Sequence, residues 1–511
     1  MKTPILGSAY VTRSVNAADA RMINLYPEII PEGGKDPAYL QRTPGLVTLL
    51  TLGMGNAPVR GLWALGNFMY AVCGNIFYKI SPTYVAVAKG TIAGSGSVSM
   101  ADNGTQIAIA ANGPGYIYNT ATDVFSQISD PDYPGAVTVG YLDGYFVFNQ
   151  PNSQLVWVTS LLDGLEIDPL DFASAEGAPD GLVGIIIDHR EAWLFGTNSV
   201  EVWYNAGTAD FPLQRIQGAF NEIGCAAAYS IAKMDNGLFW LGRDARGHGI
   251  VYRAEGYTGK RISTHAIEWQ LQQYSDMSDA IGYTYQQDGH AFYVLIFPSA
   301  NTTWVYDVAT QAWHERAGWN NGQYTRHRSN CQVFFNGETI VGDFENGKLY
   351  AMRQDVYEDA GAPQRWLRSW RALPTGQNNL NRTAQHSLQL DCETGVGLSG
   401  YAIAEDIYLF TENNEYLITE DDDFLISDDQ TVLTQGSDPQ VMLRWSDDGG
   451  HTWSYEHWRS MGKLGEFGYR TYWRRLGMTE KLRDRVYEIS GTDPVKIAIM
   501  GAELLLTPTR S

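Results

Sequence analysis

From Val59 onward the chain repeats one arrangement of apolar and polar positions: a short apolar strand, a turn built from Gly with Asn or Asp, an aromatic-rich strand, then a polar loop. The arrangement is plain in "VRGLWALGNFMYAVCGNIFYKI", "VTVGYLDGYFVFNQPNSQLVWV" and "AIGYTYQQDGHAFYVLIFPSANTTWVYD". Short apolar runs broken by "DNG", "LDG", "QDG" and "FNG" predict hairpins, because Asn, Asp and Gly accept the positive φ of a tight turn. Seven such units begin between about 59 and 355, roughly 40 to 55 residues apart, the length of one four-stranded propeller blade. The expected fold is therefore all-β, with a β-propeller of six or seven blades. The stretch "YDVATQAWHERAGW", residues 306 to 319, supports this, since a strand, a Thr-x-x-Trp turn and a second strand is how kelch-like blades proceed.

The pattern divides the chain into three. Residues 1–55 are broken by Pro27, Pro31, Pro37 and Pro44 and read as an extended N-terminal arm lying on other surfaces. Residues 56–362 are the propeller. Residues 363–511 resume strand alternation in "SLQLDCETGVGL" and "VMLRWSDDGGHTWSYEHW", which predicts a C-terminal, sandwich-like β domain. It carries an acidic low-complexity insertion at 399–440, where eleven Asp and Glu stand with no Lys or Arg.

Composition agrees with a folded, β-rich protein: 44% hydrophobic residues, 18% charged, and an abundance of Gly (53), Tyr (30) and Trp (15). Lys and Arg number 36 against 57 Asp and Glu, a formal charge of −21. A surface of that sign excludes a protein that coats nucleic acid, so any DNA contact is local. Cys73, Cys225, Cys331 and Cys392 have neither zinc-ligand nor paired spacing, which fits a cytosolic folding compartment. The apolar runs are far shorter than the ~20 residues that cross a bilayer, and the N-terminus lacks a signal-peptide core. A soluble protein without a membrane-spanning segment is expected.

Candidate chemistry is sparse. "SDDGGHTW", residues 446 to 453, is an Asp box, a motif met in sialidases and other β-repeat proteins. Asp448 is expected to accept hydrogen bonds from its own turn, with Ser446 and Thr452 beside it, Gly450 supplying φ freedom and Trp453 packing beneath. That makes it a structural turn rather than a catalytic one. A sialidase also needs an arginine cluster and paired acid and nucleophile groups; Arg60, Arg190, Arg215 and Arg243 share no motif. No Walker loop, HExxH, GxSxG or GxGxxG motif occurs, and neither a catalytic set, a cofactor site nor a metal site is predicted. The acidic "EDDDF" and "SDDQ" turns lack the spacing of a calcium loop. Charge reverses after the insertion, with eight Lys and Arg against three Asp and Glu between 459 and 485. Within it, Arg470, Tyr472 and Arg474 fall on one strand face and Tyr469, Trp473 and Arg475 on the other, so Arg470, Tyr472, Arg474 and Arg475 are candidates for a DNA channel or a subunit interface.

Taken in order, "INLYPE" with "TPGL" after it, the propeller-like middle, "LDCETGVGL" and the ending "RWSDDGGHTWS…MGKLGEFGYRTYWRRLGMTEKLRDRVYEISGTDPVKIAIMGAELL" resemble the packaged-DNA stabilisation proteins of short-tailed bacteriophages, also called tail hub or nozzle proteins. The resemblance implies a structural virion protein of the tail and not an enzyme. It implies a homo-oligomeric ring, generally of six, below the portal and its adaptor. Such a ring retains packaged double-stranded DNA, touches it transiently during ejection, and receives tail fibres, tailspikes or a tail needle. Assembly would take place in the bacterial host cytoplasm. The competing expectation is a carbohydrate-binding or glycan-cleaving propeller, which requires a pocket with paired carboxylates or an aromatic platform.

Overall fold

The computed structural model describes residues 1–511 except 8, 12–18, 31–33, 35, 54, 209–210, 245–246, 375–381, 397–437, 480–484 and 510–511. The acidic insertion thus lies outside the described residues up to 437.

Seven antiparallel blades follow one another from Val59 to Arg353. Their inner strands are Val59–Leu65, Ser99–Asp102, Val139–Leu142, Leu182–Asp188, Ala232–Met234, Ile281–Gln287 and Ser329–Phe335. Neighbouring inner strands touch in turn around a closed ring, with the turn Ala228–Ser230 completing the step from blade 4 to blade 5. Each cleft between blades holds its own apolar cluster; Tyr70, Phe77 and Tyr118 fill the first, and Phe239, Leu241 and Tyr293 the fifth. Because a blade is covered on both faces, its central strands are apolar at consecutive positions, as in Met69 to Val72, all buried. The turns that punctuate the sequence sit at the expected backbone: Asp143 and Gly144 have φ of 47° and 105°, and Asn336 and Gly337 have 52° and 78°.

The first 51 residues are woven into both domains. Gly45–Thr51 is the fourth strand of blade 7, paired antiparallel with Lys348–Arg353 and followed in the sheet by Glu358–Asp359, so the N-terminal end of the chain completes its last blade. Gly45 is required there, since a Cβ would lie 2.5 Å from the carbonyl oxygens of Val356 and Glu358. Met22–Ile23 lies between Ala312–Glu315 of blade 6 and Trp366–Arg371 of the C-terminal domain, joining them into one nine-stranded sheet. Leu25–Ile29 and Ala38–Arg42 enter the second sheet of that domain.

The C-terminal domain is a two-sheet sandwich. One sheet holds Trp366–Arg371, Val486–Gly491, Gln440–Ser446 and His457–Ser460; the other adds Ala498–Pro508, Thr383–Cys392 and Thr471–Arg474 to the N-terminal hairpin. Between them lie Trp366, Trp370 and Trp473 with Leu388, Ile489 and Leu504, joined by Ile5, Met22 and Leu25 from the N-terminal segment. The "INLYPE" motif is the wall between two cores: strand alternation sends Leu25 into the sandwich and Tyr26 into the blade 6–7 cluster. Asn24, at φ 53°, turns the chain, and its amide donates to the carbonyls of Ala317 and Arg365 while accepting from Ala317 N–H.

Candidate functional site

The Asp box closes the hairpin between Gln440–Ser446 and His457–Ser460. Ser446 Oγ donates to Asp448 Oδ1 at 2.6 Å, and the N–H groups of His451 and Thr452 donate to the same oxygen at 3.0 and 2.9 Å. Thr452 Oγ1 donates to Oδ2 at 2.7 Å. These bonds, led by that from Ser446, hold the Asp448 carboxyl well below the usual carboxylate range. Gly450, at φ 107°, donates its N–H to Ser446 Oγ. Trp453 is half-buried under the Arg444 guanidinium, 4.7 Å from its ring centroid, and Arg444 pairs with Glu488. Every polar atom of the motif named here is turned onto the hairpin itself.

The neighbouring Asp447, outside the motif's fixed positions, does more for the domain. Its carboxylate accepts two bonds of 2.6 Å from the guanidinium of Arg485, whose remaining donors reach the carbonyls of Leu476 and Met478. This bidentate pair ties the Asp-box hairpin to the loop after Thr471–Arg474. No motif in the sequence singles it out.

Thr471–Arg474 is the terminal strand of its sheet, and Trp473 points into the sandwich core, its indole N–H donating to the carbonyl of His457 at 2.7 Å. Tyr472 and Arg474 occupy the outer face, the guanidinium 4.5 Å from the Tyr472 ring centroid. Arg470 is exposed just before the strand. The alternation expected to carry Arg475 to the face of Trp473 stops at Arg474: Arg475 takes φ 60°, is exposed, and donates its N–H to the His386 carbonyl. Among the described residues, Arg470, Arg474 and Arg475 form no ion pair, whereas Arg444 and Arg485 do. Arg474, Arg475, His386, Met478 and Leu505 line one shallow groove on this face. Lys481 and Arg483 lie outside the described residues.

The propeller axis encloses a cavity of about 520 Å³, lined by Arg60, Asp102, Tyr229, Lys233, Tyr283 and Asn330 among others. Arg60 is spent on structure, donating to the carbonyls of Gly74, Ala93 and Gly96. Asp102 is the one carboxylate among the described lining residues, and it accepts from the Trp63 indole and Gly104 N–H. The paired carboxylates of glycoside hydrolysis are not assembled there. Nor do the arginines converge: Arg190 pairs with Asp143 on an exposed turn, Arg215 approaches Glu201 at 3.9 Å, and Arg243 belongs to blade 5.

Two buried arginines that the motifs did not single out hold the domains together. Arg42 donates to the carbonyls of Asp493, Val495, Tyr357 and Gln364 at 2.6 to 3.0 Å. Arg368 donates to Ile5, Gly7 and Arg21. At the same junction His290 bridges Asp307 of blade 6 (Nδ1, 2.8 Å) and Glu28 of the N-terminal segment (Nε2, 2.6 Å). These two carboxylates, Asp307 first, raise its pKa to about 9.

The architecture defines a class: a seven-bladed propeller fused through a shared sheet to a β-sandwich, with the polar groups of its motifs spent on holding the scaffold. The chain belongs to the family described as Bacteriophage P22 Gp10, whose β-propeller matches residues 1–357 and whose β-sandwich matches residues 409–506. The "tail hub protein gp10" of Salmonella phage P22 is 26% identical over 290 residues, covering 53% of this chain and 59% of that protein. The matched region thus spans about three-fifths of the length of that curated relative. Solved structures with similarity include the designed protein Ika8 (11% identity, TM-score 0.39, 60% of this chain and 99% of that one). Another is YCF48 from Cyanidioschyzon merolae (12% identity, TM-score 0.39, 60% of this chain and 98% of that one).

Proposed function

We propose that this chain is a structural subunit of a short-tailed phage tail: a hub that assembles with other tail proteins, retains the packaged genome and forms the channel for its ejection. The observation that carries this reading is the match of both family domains, propeller then sandwich, in one order along the chain. The physics is compatible with it. A lumen rich in Lys and Arg would hold passing DNA through counterion release, whereas a subunit of charge −21 repels phosphate. Retention then needs only local contacts, and Arg470, Arg474 and Arg475, unpaired among the described residues, are available for them. The ring, its six-fold copy number, seating on the adaptor and docking of fibres, spikes or a needle belong to the same proposal, as does assembly in the host cytoplasm. A sugar-cleaving reading gains nothing from the Asp box, whose side chains serve their own turn.

The test is electron microscopy of the purified chain, alone and mixed with portal and adaptor proteins. A closed ring seated on the adaptor is expected. Isolated monomers with no affinity for that complex would overturn the tail reading.

A further inference from the structure

Charge in this molecule is segregated by place in the fold. Between Thr91 and His189 there are twelve Asp and Glu and no Lys or Arg, and this stretch contains blades 2 and 3. Asp123 is neutralised by Lys89 and Asp143 by Arg190. The loop after Leu155–Val158 is different: Asp163, Glu166 and Asp168 have no ion pair among the described residues. Beside them Leu161, Leu162 and Leu170 are 60%, 62% and 75% exposed.

The opposite sign gathers at the sandwich edge. His457–Ser460 ends its sheet, with the carbonyls of His457 and Ser460 taken by the Trp473 indole and the Thr471 hydroxyl, so its side chains rather than its backbone face outward. Around it Tyr455, Trp458 and Phe467 are 93%, 51% and 77% exposed, and Arg459, Lys463 and Arg470 are exposed among them against Glu466 and a Glu456 that pairs with Arg365, which leaves a modest positive excess. Arg459 and Lys463 also form no ion pair among the described residues. The sandwich is sewn to blades 6 and 7, and in a ring of seven those lie across the axis from blade 3. Each copy therefore has an acidic, leucine-bearing end and a basic, aromatic end on opposite sides. Large exposed apolar groups of this kind mark contact surfaces, and aromatics with arginine are enriched in them. Opposite charges would steer the two ends together, and two different patches generate a heterologous contact that closes into a ring or extends.

We propose that copies of this chain associate head to tail, with the loop 160–172 of blade 3 in one copy seated on the 455–470 edge of the next. This rests on the ring reading above and names the surfaces that would make it. Two charge-reversed full-length chains test it: Asp163→Lys with Glu166→Lys and Asp168→Lys, and Arg459→Glu with Lys463→Glu. Four of the five positions are exposed and Asp163 is half-buried, and Asp163 and Asp168 each accept a backbone N–H of their own loop, so circular-dichroism melting is used to check that the fold is retained. Sedimentation velocity of the parent chain should show association that weakens with salt. Each reversed chain alone should associate at least tenfold more weakly, and an equimolar mixture should regain assembly, since reversed loop then meets reversed edge. Leu162→Cys mixed with Tyr455→Cys should give an intermolecular disulfide under oxidation.

Oligomers that survive both reversals and yield no disulfide between positions 162 and 455 would overturn these surfaces while leaving the ring standing. A chain that stays monomeric and unlinked at every concentration would also overturn the proposal; failure to seat on portal and adaptor would be needed to sink the tail reading. If a dye reaches Tyr455→Cys only after residues 397–437 are deleted, the chain's own segment covers the edge and the proposal fails.

Discussion

Replacing Arg42 by Met tests whether the two domains are held by one buried cation. The side chain is 1% exposed, and burial pulls its pKa down only to about 10, so it is charged at neutral pH. Met follows a similar path with similar volume but offers no donor. It takes the donor from four carbonyl oxygens, those of Asp493, Val495, Tyr357 and Gln364, two near the sandwich core and two beside the closing strand of blade 7; Asp493 keeps the N–H of Val495, so three are stranded. Each stranded buried acceptor costs about 1–3 kcal/mol. Against this stands the relief of no longer burying a charge, itself several kcal/mol. Three stranded acceptors, offset in part by that relief, leave a net cost that we take as about 3–5 kcal/mol. For a domain near 150 residues, each kcal/mol moves Tm by about 2–4 °C, so a fall of about 10 °C in the sandwich transition is expected. The assay is thermal unfolding with hydrogen exchange read at Gly45–Thr51 and Val495–Ile499. A fall below about 3 °C, with exchange unchanged at both segments, would refute the reasoning, because it would mean that the carbonyls find other donors at no cost.

Other perturbations follow from the same geometry. Asp448→Ala removes four bonds from the Asp-box turn and should lower sandwich stability by about 1–2 kcal/mol in a denaturant titration. Because its carboxyl is held low when folded, that contribution is present above the ordinary carboxylate range and is lost as pH falls through the folded value. His290 has the opposite sign: its bridge stabilises fully below about 6.5 and is lost as pH rises through about 9. The melting temperature of the parent chain should therefore decline between about pH 7 and 10, and His290→Gln should flatten that profile. Deleting residues 2–30 removes Ile5, Met22 and Leu25 from the sandwich core, at about 1.5–3 kcal/mol each. It spares Gly45–Thr51 but takes Tyr26 from the blade 6–7 cluster and Glu28 from His290, so calorimetry should show loss of the sandwich transition with the propeller transition retained at a lower temperature. Replacing Arg470, Arg474 and Arg475 together by Gln should leave melting unchanged and reduce DNA retention in assembled particles; full retention and infectivity would remove them from the gate.

The hairpin turns were legible because a residue at positive φ needs Gly, Asn or Asp, and Asp143–Gly144 and Asn336–Gly337 satisfy that need locally. The Asp box was legible for the same reason: Ser446, Asp448 and Thr452 bond within a single turn of the chain. In the arginine strand, alternation placed Tyr472 and Arg474 on one face, but the backbone reversal at Arg475 left no mark in the residue type, since arginine does not favour φ 60°. Arg42 and Arg368 were not legible as anchors, because their partners are backbone carbonyls hundreds of residues away, and a carbonyl carries no side-chain signature.

What the amino-acid sequence determined by itself was local and periodic: strands, tight turns, seven repeated units, and the sign of charge along the chain. These depend on φ preferences and on a two-residue alternation that neighbours in sequence enforce. The tertiary structure decided which segment completes which sheet. Proline-broken residues 1–55 read as an extended arm lying on other surfaces; which surfaces was decided by the fold, where Gly45–Thr51 closes blade 7 and Met22–Ile23 fuses blade 6 to the sandwich. A two-residue strand has no stability of its own; it forms only because edges presented by Ala312–Glu315 and Trp366–Arg371, far apart in sequence, leave unpaired N–H and C=O groups for it to satisfy.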